Sequence, residues 1–97
     1  MINVYHIYNA IRITATFTAN GVVIDPDSFI QLKVLKPDGT LTTYSYPADI
    51  TKSSTGIYYK EVYSDQIGEW HYEWVGSGTN LIAADESYYI IEHSKFT

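Results

Sequence analysis

Three features of this 97-residue sequence predict an all-β fold, an antiparallel β-sandwich of about seven strands. Apolar and polar residues alternate with period two, turn signals recur about every ten residues, and no window of eleven or more residues keeps a helical apolar period.

The first clear strand runs from Ile11 to Thr18. Ile11, Ile13, Ala15 and Phe17 take one face and Arg12, Thr14, Thr16 and Thr18 the other, the pattern of a half-buried strand. Asn20-Gly21 supplies the positive φ angles of a tight turn. Val22 to Ile24 then continue extended until Asp25-Pro26. After Asp27-Ser28 a second strand sends Ile30, Leu32 and Val34 one way and Gln31, Lys33 and Lys36 the other. Lys36-Pro37-Asp38-Gly39, with proline second and glycine fourth, reads as a turn, so Thr40 to Tyr46 returns antiparallel to its predecessor. Pro47 to Thr55 reads as polar and irregular. Beyond Gly56, IYYKEVY forms a strand whose inward face stays open between Ile57/Tyr59 and Tyr58/Val62. A turn over Asp65 to Gly68 leads into a strand with Trp70, Tyr72 and Trp74 on one face and Glu69, His71, Glu73 and Val75 on the other. Gly76 to Asn80 reads as a loop with no stiffness of its own. The last strand lies within Glu86 to Glu92, preceded by a short edge piece at Leu81 to Ala84.

Length and composition bound what such a sandwich can do. The chain fits one domain with a single core. It has no cysteine, which excludes a disulfide framework and a thiolate zinc site and suits a reducing cytosol. Six Lys and Arg stand against eleven Asp and Glu, for a net charge of -5. The cations Arg12, Lys33, Lys36, Lys52, Lys60 and Lys95 are scattered, so no patch neutralises a phosphate backbone and nucleic acid is a poor partner. The apolar runs at Leu81 to Ala84 and Tyr88 to Ile91 are far below the ~20 residues of a membrane-spanning helix. The opening MINVYHIYN lacks the basic and apolar regions of a secretory signal. Ten Tyr, two Trp and three Phe are a heavy aromatic load, which favours strands and interfaces.

Two constellations invite a chemical reading. Glu69, His71 and Glu73 share one strand face, their side chains about 7 Å apart, as a metal or acid/base group would. Metal affinity, however, needs ligands converging from more than one element and a second shell to orient the imidazole, and His6 and His93 form no HxH or HExxH pattern with His71. A solvated sheet face accounts for the three residues, and no metal or other cofactor is expected. Trp70, Tyr72 and Trp74 would make a sugar-stacking platform if exposed. Burying the opposite face would bury unpaired carboxylates at several kcal/mol each, so the rings are expected to point inward. No serine sits in a GxSxG or SxxK context, and no phosphate-cradling glycine motif occurs. Asp25, Asp27, Asp38 and Asp65 lie near turns where calcium could bind, and Asx-turn chemistry explains them without an ion. No catalytic residue is assigned, and the protein is expected not to be an enzyme.

The succession IRITATFTANG, DPDSFIQLKVLKPDGTLTTYSY, STGIYY, IGEWHYEW and GSG, from about Ile11 to Ile91, resembles a family of small structural proteins of tailed bacteriophages. That resemblance implies an Ig-like antiparallel β-sandwich over residues 11–97, part of a virion and assembled in the host bacterial cytoplasm. It implies partners among other virion proteins, the major capsid protein or head-tail and tail components, and a homo-oligomer is compatible with it. A head decoration or cement role is the leading expectation, with a neck or tail accessory and a carbohydrate-binding module as alternatives. Residues 1–10 form an N-terminal arm or edge strand, with aromatic or aliphatic groups on both faces. The arm would add its backbone hydrogen bonds to a neighbouring subunit; the edge strand would belong to the domain's own sheet. Tyr5, Tyr8, Tyr44 and Tyr46 are the candidate contact residues, because Tyr offers large contact area at low entropic cost.

Overall fold

The computed structural model describes residues 3–26, 28–78 and 81–93. Of the stretches read above, Met1, Ile2, Asp27, Thr79, Asn80 and residues 94–97 lie outside the described residues. The chain forms β1 (Asn3–His6), β2 (Ala10–Thr16), β3 (Thr18–Ala19), β4 (Val22–Val23), β5 (Phe29–Leu35), β6 (Leu41–Ser45), β7 (Thr51–Ser54), β8 (Ile57–Tyr63), β9 (Gly68–Gly78) and β10 (Leu81–Glu92). A five-stranded sheet of order β1-β10-β9-β5-β6 packs on a three-stranded sheet of order β2-β8-β7, and β3 and β4 make a separate hairpin. Every pairing is antiparallel except that of β1 with β10.

The all-β sandwich is therefore observed, with its core where the alternation places it. Ile11, Ile13 and Ala15 of β2 and Tyr58 and Val62 of β8 face Ile30, Leu32 and Val34 of β5, Trp70 and Trp74 of β9, and Tyr89 and Ile91 of β10. β8 thus turns Tyr58 and Val62 inward, which resolves the two competing faces. Trp70 and Trp74 are 0% and 1% exposed, and Trp70 stacks on Tyr89 with ring centres 5.9 Å apart. Asn20 (φ 53°) and Gly21 (φ 79°) make the expected tight turn between β3 and β4.

Side chains tie the turns together at each end of the sandwich. At one end the Asp25 carboxylate accepts hydrogen bonds from the Gly56 N–H at 2.7 Å, the Tyr58 hydroxyl at 2.8 Å and the Lys52 ammonium at 2.8 Å. Phe17 N–H donates to the Gly56 carbonyl and Ile24 N–H to the Phe17 carbonyl, so the DP and TGxY segments form one unit. At the other end Gln66 Nε2 donates to Asp38 at 2.9 Å, Lys36 pairs with Asp65 at 3.3 Å, and the Trp70 indole N–H donates to the Gln66 carbonyl at 3.0 Å. Gly68, at φ 132°, lies against Pro37, which would meet an added Cβ at 3.0 Å.

Three expectations are corrected. Residues 51–54, read as irregular, form β7, paired with β8. All four of its side chains are exposed, so no hydrophobic alternation marks it; backbone bonding alone makes it a strand. Gly76 to Gly78 are not a slack loop but the end of β9, paired with β5 and β10. An added Cβ at Gly76 would press on the Phe17 ring and, at 2.9 Å, on Pro26 Cγ, so this glycine serves close packing. Leu81 to Ala84 are continuous with β10, because β9 is long enough to pair with the whole of it.

Two measurements follow from the Asp25 unit. Gly56 has φ 73°, and a Cβ there would meet Val23 Cγ1 and, at 2.9 Å, the Ile24 carbonyl. Gly56→Ala is expected to cost about 2–4 kcal/mol in urea unfolding. The hydrogen bond from Lys52, with those from Gly56 and Tyr58, lowers the Asp25 pKa to about 2. A depressed carboxylate contributes stability that is fully present above its unfolded value near 4 and is lost as pH falls through its folded one. The melting-temperature gap between wild type and Asp25→Asn should accordingly hold at pH 5 to 7 and narrow between pH 4 and 2.

Candidate interaction surface

Because β9 turns its indoles inward, alternate residues of all five strands form one outer face. Across the sheet, register places Tyr88 beside His71, His71 beside Leu35 and Leu35 beside Leu41. A second row joins Val4, Ile90 and Glu69. A third joins Glu86, Glu73, Lys33 and Thr43. Val4 (48%), Phe29 (47%), Leu35 (40%), Leu41 (60%) and Tyr88 (37%) are large apolar residues left exposed on this one face. His71 stacks on Tyr88 at 5.6 Å and its Nε2 lies 3.2 Å from Glu69, while Lys33 reaches Glu73 at 3.8 Å. A shallow depression of about 210 Å³ lies among Leu35, Leu41, His71, Lys33 and Glu86. Alternation assigns Glu69, Glu73, Glu86 and Glu92 to this face against the single ammonium of Lys33, which makes it acidic as well as partly apolar.

The sequence-derived contact residues do not share a surface. Tyr5 and Tyr44 are half-buried and pack against the core, Tyr5 edge-on to Tyr89 at 5.9 Å and Tyr44 beneath the Lys60 ammonium at 4.9 Å. Tyr8 is exposed beside Tyr63 at one end, and Tyr46 leans edge-on against Tyr58 at the other. Residues 3–6, read as arm or edge strand, are the edge strand β1 of the chain's own five-stranded sheet. The apolar members of the outer face went unread, although Phe29 and Leu35 stand in the polar phase of β5, a signal present in the sequence. Their grouping with Val4, Leu41 and Tyr88 depends on strand order, which no local pattern reveals.

Among the described residues no group of three or more His, Cys, Asp or Glu is placed to hold a metal ion. Ser64 Oγ, Trp74 Nε1 and Tyr89 OH are buried and without a hydrogen-bond partner. Burial raises the pKa of the Tyr89 hydroxyl, and a nearby Ser64 hydroxyl offsets part of that effect. Comparison of the chain with protein-family models, with curated proteins and with solved structures returns no match.

The inward phase of β9 is open to a direct check. Trp70→Phe removes buried volume and orphans the Gln66 carbonyl, and a loss of about 2–4 kcal/mol is expected on denaturant unfolding. A Trp70→Phe protein as stable as wild type would contradict the burial described above.

Proposed function

We propose that this chain is a non-enzymatic virion structural protein, an Ig-like domain that decorates or cements a tailed-phage head and binds through the outer face of its five-stranded sheet. The observation that carries the binding face is the row Tyr88, His71, Leu35 and Leu41, bordered by Val4 and Ile90. Exposed apolar groups collected on one face, rather than scattered singly, mark interaction sites. Four carboxylates around a single ammonium direct the face toward a partner surface that is apolar with a basic rim. A rigid sheet repeated on a symmetric lattice turns modest contacts into firm attachment.

Two features support the Ig-like reading. The strand order sets β10, β9 and β5 side by side against β2, β8 and β7, as strands G, F and C stand against B, E and D in immunoglobulin domains. The hydrogen bond from the Trp70 indole to the Gln66 carbonyl takes the position of the tyrosine corner, an aromatic at the start of strand F bonded to backbone just upstream. The virion assignment rests on the order of the DP, PDGT, TGxY and GxWxYxW motifs. A neck or tail position would use the same face. With Trp70 and Trp74 buried, a carbohydrate reading lacks the platform on which it was based.

Electron microscopy of virions made with and without the gene tests the proposal. Density on the head is expected only when the protein is present, with occupancy falling at least tenfold for Leu35→Glu plus Leu41→Glu at unchanged melting temperature. Virions identical with and without the gene would overturn it.

A further inference from the structure

Among the described residues β2 is an edge strand of the three-stranded sheet, and a groove lies between it and β1. We propose that this flank is a strand-addition site, which takes one extended, neutral or acidic polypeptide segment of a partner protein as a fourth strand beside β2.

The backbone geometry sets the first requirement. Ser64 N–H donates to the Asn9 carbonyl at 3.0 Å and Phe17 N–H to the Gly56 carbonyl at 2.8 Å, and between these bonds β2 pairs with β8 in unbroken register. Antiparallel bonding alternates from residue to residue. Ile11, Ile13 and Ala15 therefore bond to β8, while Ala10, Arg12, Thr14 and Thr16 turn their N–H and C=O groups to the open side. The other edges are less suited to an added strand. β7 carries Lys52 and a register shift between Lys52 and Ser54, β1 has four residues, β6 has five, and β10 beyond β1 carries Glu86. Short length, bulges and charge are the usual protections of an edge. β2 has seven residues, no proline and no bulge, and its one charge, Arg12, is engaged by Glu61 at 2.8 Å and by the Tyr59 ring at 4.0 Å.

The space beside that edge defines the occupant. A groove of about 560 Å³ runs among Val4, Tyr5, His6, Asn9 and Ile11, and a recess of about 70 Å³ along Ile11, Ile13, Tyr72 and Tyr89 adjoins it. Tyr89, whose buried hydroxyl has no hydrogen-bond partner among the described residues, is one of the residues lining the recess. Val4, Tyr5 and His6 of β1 line the groove beside that edge, so a single extended segment there would lie against β1 as well as beside β2. Among the described residues no carboxylate lines the groove or recess in a chain of net charge -5, so a neutral or acidic segment meets no like charge there. Main-chain bonds to an open edge and side chains in flanking pockets are how strand addition obtains affinity and selectivity.

The test uses the full chain and the synthetic peptide Glu-Thr-Val-Thr-Val-Thr-Val-Thr-Glu, read by amide hydrogen exchange. Exchange at Arg12 and Thr14 is expected to slow at least tenfold with saturating peptide. Thr14→Pro removes an outward N–H, as edge strands tolerate, and should abolish the protection. Ala10→Pro does the same at the first strand residue and serves if Thr14→Pro lowers the melting temperature. Unchanged exchange at Arg12 and Thr14 at millimolar peptide, equal protection along residues 41–45 of β6, or protection that persists in the folded proline variants would each overturn the proposal.

Discussion

The inward phase of β9 is the constraint on which the rest of the molecule depends. With period-two alternation, burying Trp70 and Trp74 leaves no freedom in which side of the strand carries Glu69, His71 and Glu73. Register then extends that choice across β5 and β10, and through them to β6 and β1. A slip of one residue would place three ionisable groups between the sheets, a cost of several kcal/mol for each unpaired carboxylate. The acidic, partly apolar outer face is therefore a consequence of how the core is filled.

Sheet packing alone does not hold the turns, and the charged and polar residues near them do that work. Asp25 links the segment after β4 to the β7–β8 turn and to the hydroxyl of Tyr58, while Asp38, Gln66 and Trp70 link the β5–β6 turn to the start of β9. These contacts give the DP, TGxY, PDGT and GxWxYxW stretches a structural meaning. DP and TGxY are two halves of one hydrogen-bonded unit, as are PDGT and the approach to GxWxYxW. Their joint order reports a way of closing a sandwich, which is why it carries information about fold and none about catalysis.

What remains for function is the surface that neither the core nor the turns consume. One part is the broad outer face of the five-stranded sheet; the other is the flank where, among the described residues, β2 pairs with β8 alone. The two differ in physics. The face offers side-chain area and charge, whereas the flank offers the outward backbone groups of an edge strand beside a groove. The five-stranded sheet supplies the first and the end of the three-stranded sheet the second.

Local signals made much of this legible. The alternation in β2 and β5, the Asn20-Gly21 and Lys36-Pro37-Asp38-Gly39 turns and the inward tryptophans of β9 could all be read from neighbours along the chain, because side-chain period and turn chemistry are local properties. The sequence by itself thus determined the all-β class, the phase of its main strands and most turns. Only the tertiary structure decided that polar residues 51–54 are a strand, that Gly76 packs closely against Phe17 and Pro26, that β1 runs parallel to β10, and that Tyr5, Tyr8, Tyr44 and Tyr46 occupy separate places. Each of these depends on which distant segment lies alongside, and backbone pairing and close approach leave no periodic trace in the residues that make them.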